Sequence, residues 1–193
     1  MLETSARIPA SREPIVEVND GLITRPWFRF FSNLYNYFTS LPYGSFYDTL
    51  VQTAAANTPT AITFNSTAYT RNTIIGTPAS RIVFTADGMT TVTFSVQFTN
   101  PSAAEDDVYV WLRKNGVDIP NTASAATVPK KHGSIDGSVL MTVNFHENYG
   151  PGDYLELYWL TVTGATSIAT IPATTSPAKP ASPGVVLTVS QII

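Results

Sequence analysis

From about Ala61 to its C-terminus this 193-residue chain alternates apolar and polar side chains. In the segment 91–98, Val92, Phe94, Val96 and Phe98 take one side and Thr91, Thr93, Ser95 and Gln97 the other, as in a strand with one buried and one wet face. The same period predicts strands over 61–65, 81–85, 91–98, 108–113, 137–146, 153–163, 167–171 and 185–191. Another begins near Ser45, where Phe46, Asp48 and Leu50 alternate with Tyr47, Thr49 and Val51. Asp87-Gly88, Lys114-Asn115-Gly116 and the run from Tyr149 to Asp153 supply turn chemistry between strands. About eight to ten antiparallel strands predict an all-β fold, an antiparallel jelly-roll sandwich. The stretch 163–184, with Pro172, Pro177, Pro180 and Pro183, reads as a loop leading into the closing strand.

Two strands are apolar on both sides. Val108, Val110 and Leu112 alternate with Tyr109 and Trp111, and Leu155, Leu157 and Trp159 alternate with Tyr154, Tyr158 and Leu160. One face of each must line the core. The other is expected to expose large aromatics in a single chain, which makes Tyr109, Trp111, Tyr154 and Tyr158 candidate contacts between copies.

Upstream of residue 43 the period changes. Thr24 can cap a helix and Pro26 suits its first turn. Trp27, Phe31, Leu34, Phe38 and Leu41 then follow at alternating spacings of four and three, the seam of a helix that associates with its copies. Burying five such side chains contributes roughly 8–15 kcal/mol, about what ordering the segment costs, so this helix needs help from elsewhere to assemble. Before it, Pro9 and Pro14 oppose helix, and Asn19-Asp20-Gly21 is a turn between Ile15, Val16, Val18 and Leu22, Ile23. The predicted organisation is an extended N-terminal docking tail over 1–25, a short amphipathic α-helix forming a collar over 26–42, and the β-domain over 43–193.

Charge and chemistry narrow the function. Only 13% of residues are charged, the formal charge is −3 and no basic run occurs, so nucleic acid is not expected as a ligand. Cysteine is absent, which removes disulfides and thiolate metal sites. The first residues lack a signal-peptide core and no apolar run approaches the ~18 residues of a membrane span, so synthesis in a cytoplasm without membrane insertion is expected. His132 sits near Ser134 and Asp136, and His146 beside Glu147, without the spacing of a metal site or a nucleophile elbow. No cofactor, metal or catalytic residue is expected, and the chain does not read as an enzyme.

Several segments carry a family resemblance. YGSFYDTLVQTAAANTPTAITFNST, IGTPASRIVFTADG, VYVWLRKNGVDIPNTAS, TVPKKHGS, GDYLELYW and the closing PAKPASPGVVLTVSQI resemble a β-domain of tailed-bacteriophage virion proteins, itself similar to the trimeric C1q/TNF-like jelly rolls. The resemblance spans residues 43–193; one departure is Gly88-Met89-Thr90, where the family often has Gly-x-Tyr. A second resemblance lies in REPIVEVNDGLITRPWFRFFSNL, similar to the opening of small phage structural proteins whose N-terminus commonly attaches them to the particle; it falls on Pro14, Ile15, Val16, Gly21, Trp27, Phe30 and Phe31. The resemblance implies a homotrimeric head-fibre or decoration protein located in the virion and made in the host cytoplasm. Its partners would be the major capsid protein or proteins of the tail and portal region, with host surface glycans as a further class. A tail-associated fibre or adaptor, a lectin-like carbohydrate-binding module and, less favoured, a polysaccharide hydrolase are the readings left open.

Overall fold

The computed structural model describes residues 7–39 and 41–192. Residues 1–6 of the predicted tail, Ser40 of the predicted collar and Ile193 lie outside the described residues. The chain divides into two units, Met1–Leu41 and Pro42–Ile193.

The first unit contains α1 (Arg25–Thr39). Thr24 precedes it as expected of a capping position; its carbonyl accepts from Phe28 N at 2.9 Å, and its hydroxyl donates to the Pro14 carbonyl at 2.8 Å. The helix stops at Thr39, short of the predicted end, so Leu41 is not on the helical seam. Pro42 accounts for this, because its ring disfavours helical dihedrals in the residue before it.

The second unit is built of strands. They are β1 (Tyr43–Asp48), β2 (Gln52–Thr53), β3 (Thr60–Ala61), β4 (Ser66–Arg71), β5 (Thr73–Ile75), β6 (Ile82–Phe84) and β7 (Gly88–Asn100). There follow β8 (Asp106–Lys114), β9 (Val117–Asp118), β10 (Ser124–Val128), β11 (Gly137–Tyr149) and β12 (Tyr154–Thr161). The last are β13 (Ser167–Ile168), β14 (Thr174–Thr175), β15 (Ala178–Lys179) and β16 (Val185–Gln191). One sheet runs β2-β13-β7-β16-β1-β4, with β11 paired along the whole of β7. The other runs β10-β8-β12-β6-β5, with β3 on β12 and β9 on β8. All the strand pairs are antiparallel, and the two sheets face one another as a jelly-roll sandwich.

The core forms where the alternation predicts. Val92, Phe94, Val96 and Phe98 of β7 and Val185, Leu187 and Val189 of β16 are buried from one sheet. Val108, Val110 and Leu112 of β8 and Leu155, Leu157 and Trp159 of β12 are buried from the other. Phe98 and Trp159 meet between the sheets with ring centroids 5.8 Å apart. The segment 61–65 is strand only at its start; Ile62 and Phe64 are nonetheless buried, and their amides donate to the Leu157 and Ala79 carbonyls at 2.8 and 3.0 Å. Strand β4, STAYTR, is polar and exposed along most of its length, an edge with no alternation to announce it. Within the proline-rich stretch a small hairpin of β14 and β15 stands where a plain loop is expected, and every residue from 171 to 181 is exposed.

Asp106 ties the first residue of β8 to the turn after β12. Its buried carboxylate accepts the Thr161 hydroxyl, Thr163 N at 2.9 Å and Thr166 N at 3.1 Å. Burial pushes this carboxyl up, but hydrogen bonds from Thr161, Thr166 and Thr163 outweigh it and bring the pKa down to about 2. The unfolded chain, with its carboxyl near the usual ~3.9, therefore takes up the proton first as the pH falls, and the stabilisation is lost between pH ~4 and ~2. We expect Asp106→Asn to lower stability at neutral pH by roughly 2 kcal/mol and to flatten that acid limb. Urea unfolding of both proteins across pH 2–6 measures it; parallel acid limbs would show that the clamp is not what titrates.

Candidate functional site

Two surfaces collect the residues singled out in the sequence, one in each unit. In the first unit the segment before the helix is not simply extended. Val16 and Ile23 form an antiparallel bridge, Glu17 N donates to the Leu22 carbonyl at 2.7 Å and Gly21 N to the Glu17 carbonyl at 3.1 Å. Gly21 has φ +72°, a left-handed conformation that side-chain-bearing residues rarely adopt. Asp20 Oδ1 accepts from Leu22 N at 2.9 Å and holds the turn from inside. The strand leading in returns to the helix: Trp27 Nε1 donates to the Glu13 carbonyl at 3.1 Å, and Thr24 N to the Ile15 carbonyl at 2.9 Å. Pro14, Ile15, Val16, Gly21 and Trp27 are thus parts of one hairpin laid across the first turn of α1. Phe30 and Phe31 complete it, with Trp27 5.8 Å from each ring and the two phenyl rings 5.4 Å apart.

No residue of α1 is buried. On the expected seam Trp27 and Leu34 are half-buried, while Phe31 and Phe38 are 46% and 53% exposed. Phe28 and Tyr35 extend the apolar surface sideways, and with Phe31, Ser32 and Asn36 they line a shallow groove. At 100° per residue the apolar side chains from Phe28 to Phe38 cover about half the helix, wider than a two-stranded seam needs.

In the second unit Tyr109, Trp111, Tyr154 and Tyr158 share the outward face of the β8–β12 sheet, with Tyr158 directly across from Trp111. This face is not the bare aromatic band that the alternation suggests. The Arg113 guanidinium lies 4.3 Å over the Tyr158 ring, and Arg81 lies 4.3 Å over Tyr154. Glu156, buried between them in sequence, accepts the Ser80 hydroxyl at 2.7 Å and is paired with Arg81 Nε at 3.6 Å. Asp118 is ion-paired with Arg113 Nε and accepts from Trp111 Nε1, each at 2.8 Å. Trp111, Tyr154 and Tyr158 are consequently half-buried within the chain, and of the four Tyr109 alone is exposed, at 38%. Alternation places Arg113 beside Trp111, so that partner is readable from the strand. Ser80 and Arg81 reach the face from another part of the chain and leave no local signal.

The remaining candidates do not converge. His132 sits in an exposed turn closed against Ile135, with Ser134 and Asp136 also exposed. His146 Nδ1 lies 3.2 Å from the Thr91 hydroxyl on the outward face of β7 and β11. Among the described residues no three His, Asp or Glu side chains are grouped to hold a metal, and no helix is long and apolar enough to cross a membrane. Tyr149, stacked on Phe84 at 4.2 Å, has a buried hydroxyl without a hydrogen-bond partner among the described residues. Burial, then the nearby Glu147 and Asp153 charges, push its phenol far up, which suits it to packing.

Sheet order and the buried faces define an antiparallel jelly-roll sandwich, a fold similar to that of C1q/TNF-like domains. Eiger TNF from S. frugiperda is similar in structure with a TM-score of 0.51 at 7% identity, over 80% of this chain and 94% of that one. The globular domain of zebrafish complement 1qA gives a TM-score of 0.45 at 12% identity, over 79% of this chain and 98% of that one. No protein-family model and no curated protein sequence matches the chain.

Removing Glu156 would strand Arg81 and open the outward face. We expect Glu156→Ala to cost roughly 1–3 kcal/mol, below the usual figure for a broken buried pair because Arg81 stays partly solvated. Glu156→Gln, which can still accept from Ser80, should cost less. Chemical denaturation of both variants checks the order; equal losses would mean that the hydrogen bond from Ser80 contributes nothing and that the charge carries the whole effect.

Proposed function

We propose that this chain is a structural protein of a tailed-phage virion: a homotrimer that docks to the particle through its N-terminal unit and displays the jelly roll outward. The observation that carries the reading is α1, a fifteen-residue helix with no buried residue and an apolar half-surface. A helix this short is marginal in water, and an exposed apolar surface of that kind marks an interaction site. The hairpin over 13–24 adds Ile15, Val16, Val18 and Leu22 to the exposed apolar set, and these fall on or beside the segment that resembles phage attachment sequences.

In this reading Trp27, Phe31, Leu34 and Phe38 meet their counterparts on the threefold axis. Pro14, Ile15, Val16, Gly21 and Phe30 face the capsid or the tail and portal region. Three tails held together raise the effective concentration of each at the particle surface, so modest individual contacts give firm attachment. The protein works by binding and display, without catalysis.

Sedimentation of the full chain tests the assembly. A trimer is expected; Phe31→Asp with Phe38→Asp should weaken it or leave the collar frayed, since a charge on the seam cannot be buried unpaired. A monomeric parent protein would remove the reading. Cryo-electron microscopy of particles with and without the chain then identifies the attachment point.

A further inference from the structure

The outward side of β8 carries, in order, Asp107, Tyr109, Trp111 and Arg113, at intervals of ~6.6 Å along the strand. The two rings lie between two polar groups that are already held in place. Asp107 Oδ1 accepts the Thr127 hydroxyl at 2.6 Å, and Arg113 is fixed by Asp118 and by the Gly116 carbonyl at 2.5 Å. Trp111 cannot swing freely, because its indole N–H is bound to Asp118 and its ring leans on Tyr158 with centroids 6.0 Å apart. Across the ladder from Tyr109 on the β10 side stands Ala125, too small to cover it.

We infer that this stripe binds a run of neutral pyranose units in a surface polysaccharide: Trp111 and Tyr109 stack on the C–H faces of neighbouring units, and Asp107 and Arg113, about 20 Å apart along the strand, accept from and donate to hydroxyls of the units at either end. The charges favour this occupant. Arg113 is neutralised by Asp118 and Arg81 by Glu156, which leaves the Asp107 carboxylate, bonded to the Thr127 hydroxyl, to disfavour an anionic ligand while it accepts from sugar hydroxyls. What the face offers is flat, polarisable ring surface edged by hydrogen-bonding groups, as an amphipathic sugar requires. Immobilised side chains on a paired strand also lose little entropy when a ligand lands.

The inference rests on the outward display of the jelly roll proposed above, and its readout is separate from that of assembly. Saturation-transfer NMR of the full chain would be run with methyl α-glucopyranoside, methyl β-galactopyranoside, N-acetylglucosamine, rhamnose and short oligosaccharides of each. At least one probe is expected to saturate, with contacts on its ring protons. Trp111→Ala should weaken it by about tenfold or more and Tyr109→Ala by less, while Trp111→Phe keeps most of the binding. Thermal melts confirm that the variants fold. If no probe saturates, or if Trp111→Ala binds as the parent does, the inference fails. It fails equally if Tyr109→Ala and Trp111→Ala break the trimer on sedimentation, for the occupant is then a second copy of the chain.

Discussion

The β-domain depends on the contact between its two sheets, where Phe98 of β7 meets Trp159 of β12 and Phe84 of β6 stacks on Tyr149 of β11. Strand geometry puts alternate side chains on opposite faces, so committing Phe94, Phe98, Leu157 and Trp159 to the interior decides where every other residue of β7 and β12 must go. On β7 the displaced side chains are mostly hydroxyls and an amide, which find partners within the chain: Thr93 and Ser95 accept from Asn144 and Thr142 of β11, and Gln97 donates to Ser182 and the Pro183 carbonyl. On β8 and β12 they include four aromatics, and the chain covers the two on β12, Tyr154 and Tyr158, by drawing Arg81 and Arg113 over the rings and tying both to carboxylates. The outward face is therefore a second, thinner layer of packing held by cation–π and ionic contacts, each modest in water but supported by the others.

The first unit meets a similar demand with less material. It has too few residues for a core of its own, and it uses backbone acceptors to fold the tail onto the helix: the Glu13, Pro14 and Ile15 carbonyls are taken by Trp27, Thr24 and Thr24 again. The aromatic residues are thereby arranged but not buried. A hairpin set across a helix start presents Ile15, Val16, Phe28 and Phe31 in a defined relation, so a partner need not bear the whole cost of ordering the segment.

How much of this was legible in the sequence varied with the range of the forces involved. The limits of β16 and the inward faces of β7, β8 and β12 follow from alternation, since burial on one side imposes a period of two. The turn at Asp20-Gly21 was legible because left-handed backbone calls for glycine. Strand β4 was not, for an exposed edge strand carries no apolar rhythm. Leu41 was assigned to the helix by spacing, and Pro42 ends it sooner by local sterics. The capping of Tyr154 by Arg81 joins residues 73 positions apart, and the return of Glu13 to Trp27 depends on a side-chain donor reaching backbone; neither leaves a pattern in neighbouring residues.

The β14–β15 hairpin lies outside all of these dependencies. Its residues are exposed, its contacts are local, such as Thr174 to the Pro177 carbonyl and Lys179 to the Pro172 carbonyl, and the Ile171–Ser182 bridge closes its base. Because the entropy of closing a loop rises only slowly with length, a foreign peptide spliced at its tip would leave the sandwich intact. That tip would then serve as a site for presenting epitopes or targeting sequences.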